Sequence, residues 1–176
     1  MAVAASLPSI EELNRLSTPE CVAALAPLFE GAPRFLARLA NARPFAGYAA
    51  LWPAALQIAQ AMPELDQVEL IDAHPRLGAP PPSVSAMSFH EQGYDREPTE
   101  ANAAAERLAA ELERLNAAYE RRFGFRFCVF VNGRSRAALV PVIAAALEAD
   151  RATEIRRALG DVVAIAADRA RMPAKA

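Results

Sequence analysis

The sequence holds two histidines, His74 and His90, so any chemistry that needs an imidazole has two candidates. His74 opens the string His74-Pro75-Arg76-Leu77-Gly78 just after an apolar helical pattern. Proline biases the residue before it toward extended backbone, which puts this imidazole at a helix-to-loop junction. With a reference pKa of about 6.5, an imidazole there can take or give a proton near neutrality. A histidine in that place can also cap the last carbonyls of its helix. The second cluster is Ser88-Phe89-His90-Glu91-Gln92. In a helix Ser88, Glu91 and Gln92 share one face by the i, i+3, i+4 rule, and His90 points elsewhere. A hydroxyl, a carboxylate and an amide facing one way suit a polar, nitrogen-rich ligand. Ser88-x-x-Glu91 also has capping-box spacing, so both readings of this cluster stay open.

Several other chemistries are excluded on spacing. Neither histidine string has the ligand spacing of a metal site, and Cys21 and Cys128 are distant from both in sequence, so no metal is expected. Each cysteine lies in an apolar stretch and reads as packing. Two cysteines cannot build a disulfide framework. The phosphate-cradling glycine loops and the G-x-S-x-G elbow are missing from the sequence. Twenty-one acids against 19 bases give a net charge of -2, which argues against a nucleic-acid surface.

The elements that must carry these residues are helical. At 176 residues and 53% apolar, the chain can bury one core, and a single domain over 1–176 is expected. Ser9 to Glu12 and Ser17 to Glu20 mark two early helix starts, the second with Pro19 near the first helical position. Phe35, Leu36 and Leu39 suggest a third helix. Residues 46–62 suggest a fourth, with Pro53 near its start or at a kink. Asp66 is expected to cap a fifth helix, which runs into His74. Residues 74–98 are rich in proline and read as loop, with a short helix near Ser88–Gln92. Thr99 is expected to cap a long helix in which Leu108, Leu112, Leu115, Tyr119 and Phe123 recur, stopped by Gly124. Residues 125–131 have strand propensity but no partner strand, so they read as an extended segment pinned between helices. Ser135 caps a helix through Leu147, and Asp150 or Thr153 starts the last. The fold class is therefore all-α, a bundle of about eight helices with one extended segment near 125–131.

No apolar run approaches the roughly 18 residues of a membrane span. The start MAVAASLPSIEEL lacks a basic leader and the end RMPAKA is not a peroxisomal signal, so a cytoplasmic location is expected. Arginine supplies every cation except Lys175, a bias that fits a GC-rich genome.

Taken in order, the motifs resemble a known family. His74-Pro75-Arg76-Leu77-Gly78, then Ser88/Glu91/Gln92, then Asn116/Tyr119/Phe123-Gly124-Phe125/Phe127, Gly133-Arg134-Ser135 and Glu154/Arg156/Ala158-Leu159 are similar to 2-oxo-4-hydroxy-4-carboxy-5-ureidoimidazoline (OHCU) decarboxylases of urate degradation. The resemblance implies an all-α homodimer that needs no metal or organic cofactor and converts OHCU to (S)-allantoin and carbon dioxide. It implies His74 as the acid/base and Glu91 as the carboxylate that positions substrate and proton. Pro75, Ser88 and Gln92 would line the pocket. Backbone groups of Phe127, Cys128, Val129, Phe130 and Val131 would touch the ligand, and Arg156 would contact it too. Two departures from the family's usual pattern are Gly93-Tyr94-Asp95 directly after Glu91-Gln92 and the three prolines at 80–82. Other readings are an enzyme on a related ureido-imidazoline purine catabolite, or a helical interaction module without catalysis.

Overall fold

The computed structural model describes residues 7–95 and 103–171. Among them are nine α-helices, two short 3-10 segments and no strand, so the chain is all-α. The helix expected inside the proline-rich loop is among them, at Ala86–Glu91. The chain divides into two compact units, one of residues 1–73 with 159–176 and one of residues 74–158.

The first unit begins with α1 (Ile10–Arg15) and α2 (Thr18–Leu25), each started by a complete capping box, Ser9/Glu12 and Ser17/Glu20. Helix α3 (Pro33–Asn41) buries Phe35, Leu36, Leu39 and Ala40 and packs on α2, α4 (Tyr48–Ala61) and α5 (Glu64–Asp72). Pro53 lies inside α4. Its ring removes the donor for the Ala49 carbonyl, and both residues sit on the exposed face where water can compensate. The expected cap of α5 is corrected. Pro63 holds that position, its extended backbone (φ -53°, ψ 145°) turning its carbonyl onto the Asp66 and Gln67 N–H groups at 2.9 and 3.1 Å. Asp66 instead lies in the first turn and pairs with Arg38 at 2.7 Å and Arg34 at 3.4 Å.

Arginine forks close the open helix ends of this unit. Arg43 donates to the carbonyls of Ala40, Leu13 and Leu16 at 2.6, 2.7 and 2.6 Å. Arg169, with a side chain wholly out of solvent, donates to Pro27 and Leu28 carbonyls and pairs with Glu30 at 2.8 Å. Burying a cation costs heavily unless it is paired and hydrogen-bonded, and here it is both.

The second unit is built on α7 (Ala103–Phe123), which packs on α8 (Arg136–Ala146). The expected Thr99 cap lies outside the described residues. Leu112, Leu115, Tyr119 and Phe123 form the buried stripe, and Gly124 (φ +77°) ends the helix. Ser135 caps α8 by accepting the Ala138 N–H at 3.2 Å. Asp150, rather than Thr153, caps α9 (Arg151–Arg169), accepting the Thr153 N–H at 2.9 Å. The residues of α9 up to Ala158 belong to this unit and the rest to the first.

Candidate functional site

The second unit contains every residue singled out above for chemistry. Among the described residues six polar or charged side chains are buried, and five of them lie here: His74, Ser88, Gln92, Asn116 and Glu154. Polar groups are costly to bury without hydrogen bonds, so their concentration marks a built polar site rather than ordinary core.

His74 follows α5 in the chain and is 3% exposed. Three side chains fix the loop it opens. Arg76 grips Glu120 of α7 through both carboxylate oxygens, with Nε to Oε1 at 2.6 Å, and reaches Glu113 at 3.1 Å. This pairing holds the Arg76 guanidinium above its already high pKa. Asn116 donates to the Leu77 carbonyl at 2.9 Å. Gln92 accepts from the Gly78 N–H and donates to the Arg76 carbonyl. Gly78 is required twice over: its φ is +77°, and a Cβ there would meet Leu112 Cδ1 at 3.0 Å.

Helix α6 (Ala86–Glu91) presents the second cluster. Ser85 caps it, accepting the Ser88 N–H at 3.2 Å, which corrects the capping-box reading of Ser88 and Glu91. Ser88 is thereby released from capping duty and buried inside the helix, 2% exposed. Glu91 is half-buried at the last helical position, and Gln92 follows as the buried C-cap. His90 turns outward, as its register predicts, with Nδ1 2.5 Å from Asp95 Oδ2. Tyr94 ties the end of α6 back to the loop by donating to the Ala79 carbonyl at 2.5 Å, and Arg136 of α8 stacks on its ring at 4.4 Å.

Residues 125–131 form neither helix nor strand, with a bend at Phe125. Side-chain donors stand in for the missing ladder. Arg157 of α9 donates to the Cys128 carbonyl at 2.8 Å. Arg134 donates to Phe130 and Val131 carbonyls at 2.6 and 3.0 Å. Arg126, from the segment itself, reaches the His74 carbonyl at 3.3 Å. Phe127, Cys128, Val129 and Val131 are buried and Phe130 is half-buried.

The sequence-expected residues are thus only partly gathered. The loop of His74 and Pro75 is linked by hydrogen bonds to Gln92 at the end of α6, to α7 and to Arg126, while the 127–131 segment is held by Arg157 of α9 and by Arg134. Arg156 stands apart: it is exposed, and its guanidinium bonds Thr153 Oγ1 at 3.2 Å. The residue passed over is its neighbour Arg157, which lies against Glu154, Tyr119 and Cys128. The i, i+3 spacing from Glu154 puts Arg157 on the same face of α9 as that carboxylate, and packing turns that face inward. Tyr119 donates to Glu154 at 2.7 Å, and burial, then that bond, holds its phenol well above the usual tyrosine range.

Among the described residues no three His, Cys, Asp or Glu side chains cluster as ligands. No described helix is long and apolar enough to cross a membrane.

Comparison with known proteins gives one answer. A sequence profile of OHCU decarboxylase matches residues 14–171. The chain is 31% identical over 162 residues to the uric acid degradation bifunctional protein PucL of Bacillus subtilis, covering 90% of this chain and 31% of that protein. It therefore spans about a third of that relative's length. It is 27% identical over 158 residues to the 2-oxo-4-hydroxy-4-carboxy-5-ureidoimidazoline decarboxylase of Haloferax volcanii, covering 90% of this chain and 91% of that one. A crystal structure of OHCU decarboxylase in the presence of (S)-allantoin shares the fold, with a TM-score of 0.62 at 21% identity over 82% of this chain and 92% of that chain. The profile spans nearly the whole chain: the chain belongs to the OHCU decarboxylase family.

Proposed function

We propose that the protein decarboxylates OHCU to (S)-allantoin and carbon dioxide in urate degradation. The observation that carries this reading is the burial of His74 and Ser88 beside a loop and helix tied together by Gln92, in a chain of this family.

The substrate's own structure makes the residue types sensible. Its carboxylate sits on a carbon that also bears a hydroxyl and adjoins an imine carbon. Breaking the carbon–carboxylate bond sends its electron pair through the imine carbon onto the imine nitrogen, which takes up a proton, so the substrate is its own electron sink and asks nothing of a pyridoxal or thiamine. The hydroxyl then gives up a proton as it becomes a carbonyl. One proton is delivered to the neighbouring carbon on a single face, which sets the S centre. His74 is the group that exchanges these protons, a role typically worth about 10²–10⁴-fold. Glu91 accepts N–H bonds from the ureido group or ring.

Pro75 and Ser88 line the ligand. Gln92 keeps one Nε2 hydrogen beyond its bond to Arg76, available to a ligand carbonyl. The extended backbone of Phe127, Cys128, Val129, Phe130 and Val131 offers N–H and C=O groups that a helix would have consumed. Arg156, held only by Thr153 Oγ1, contributes a planar fork for a ligand carbonyl or carboxylate once it leaves that bond. The family resemblance also supports a cytoplasmic homodimer, which the elution volume of the purified protein would check.

The direct test supplies freshly generated uricase product, passed through hydroxyisourate hydrolysis, and follows the optical activity of OHCU together with carbon dioxide release. Wild-type protein should consume OHCU and yield a single allantoin enantiomer. A rate equal to buffer refutes the assignment.

A further inference from the structure

We propose that Arg157 is the positioning residue of the ligand-binding segment Phe127–Val131, fixing the backbone on either side of Cys128 for a bound ligand. The proposal rests on the decarboxylase reading and deepens it.

Cys128, Glu154, Tyr119 and the Phe127 ring all contact this one guanidinium. Nη1 donates to the Cys128 carbonyl at 2.8 Å, while Nε and Nη2 lie 2.9 and 2.8 Å from Glu154 Oε2. The guanidinium carbon stands 4.8 Å over the Phe127 ring. Glu154 is 2% exposed and also accepts the Tyr119 hydroxyl at 2.7 Å. The Tyr119 ring in turn meets Phe127 edge-on at 5.1 Å and Phe125 at 5.6 Å. Helix α7 therefore supplies Tyr119, α9 supplies Glu154 and Arg157, and the three lock the start of the segment by hydrogen bonds and ring contacts together.

The physical need is specific. Backbone outside helix and sheet has no ladder to hold its position, so side-chain donors must fix it. A binding group has to be held within about 0.5 Å of its productive position, which takes support from residues that do not touch the ligand. A guanidinium can do this because its planar fork addresses a carbonyl on one edge and a carboxylate on another, whereas an ammonium is a point donor. Arg156 has no such anchorage, although it is the adjacent residue.

The test measures OHCU turnover and calorimetric binding of (S)-allantoin side by side, on wild type, Arg157→Ala, Arg157→Lys and the pair Glu154→Gln/Arg157→Met. The pair removes both charges, so it leaves no buried unpartnered carboxylate should Arg157→Ala fail to fold. Arg157→Ala should raise KM and weaken (S)-allantoin about tenfold, the loss expected for one charged hydrogen bond, with kcat within about threefold of wild type. Arg157→Lys should recover part of that loss, and the pair should show the same rise in KM. A KM within about twofold of wild type in the variants that fold, or a loss confined to kcat, overturns the proposal. If wild type binds (S)-allantoin but turns over no OHCU, the assigned reaction fails, and the ratio of allantoin affinities still decides the role of Arg157. If wild type does neither, both fall.

Discussion

Gln92 Oε1 accepts the Gly78 N–H at 2.7 Å while its Nε2 donates to the Arg76 carbonyl at 3.1 Å. The amide thus meets the backbone of the His74 loop as a neighbouring strand would, with one acceptor and one donor. Glu91 and His74 reside on separate pieces of chain, and this side chain, with Tyr94, ties those pieces together. Gln92→Ala would leave the half-buried Gly78 N–H without its acceptor, while the Arg76 carbonyl keeps the Ala79 N–H, at a cost of about 1–3 kcal/mol in urea unfolding. Gln92→Glu can accept from Gly78 but cannot donate to Arg76, so its unfolding midpoint should fall between the two. Equal midpoints for wild type and Gln92→Ala would contradict the clamp.

Gly78 makes a separable prediction, because two penalties meet at one residue. Gly78→Ala must hold φ at +77° and push its Cβ to 3.0 Å from Leu112 Cδ1. The left-handed backbone alone costs about 1–2 kcal/mol for a residue with a Cβ. Trimming the neighbour in Gly78→Ala/Leu112→Ala relieves the clash and leaves the backbone penalty. The double variant should therefore lose less than the sum of the two single changes. Strict additivity would show that the close approach contributes nothing.

For the reaction itself, His74→Asn should lower kcat by about 10²–10⁴-fold. Glu91→Gln keeps the size and one acceptor oxygen but loses the charge, so it should fall less than His74→Asn. Comparing both on freshly generated OHCU ranks the two roles. A His74→Asn enzyme within about tenfold of wild type would remove the histidine from proton transfer.

How far the chain could be read beforehand depended on whether the deciding interaction was local. Ser9, Ser17, Ser135 and Asp150 cap helices through groups three residues away, and their spacing showed it. At α5 two local signals competed: Asp66 has the right side chain, but Pro63 already had the backbone, and the backbone won. Ser85 displaced Ser88 for the same kind of reason, one turn earlier. The difference between Arg156 and Arg157 was harder to see, since adjacent helical residues point about 100° apart and only packing decides which one turns inward. The arginine bias first read as genome composition acquires a structural use. Arg43, Arg157 and Arg169 each bond two or more partners with one fork, which Lys175 chemistry could not match.

Tyr119 yields the pH prediction. Burial, followed by its bond to Glu154, raises its phenol well above the ordinary value of 10.0. In the unfolded chain the same phenol ionises near that ordinary value. The stability it contributes is therefore fully present below pH 10 and is lost as pH rises toward the folded value, because there the folded state holds a proton that the unfolded state has released. Tyr119→Phe lacks the hydrogen bond and should be less stable at pH 7–9 by about 1 kcal/mol. Above pH 10 wild type alone acquires this extra slope, up to about 1.4 kcal/mol per pH unit, so the two stabilities should converge. Tyr48, raised to about 12 chiefly by burial, is common to both proteins and cancels in the difference. Urea midpoints collected from pH 8 to about 11 would check this, and a constant gap across that range would mean that the Tyr119 phenol ionises alike in the folded and unfolded chain.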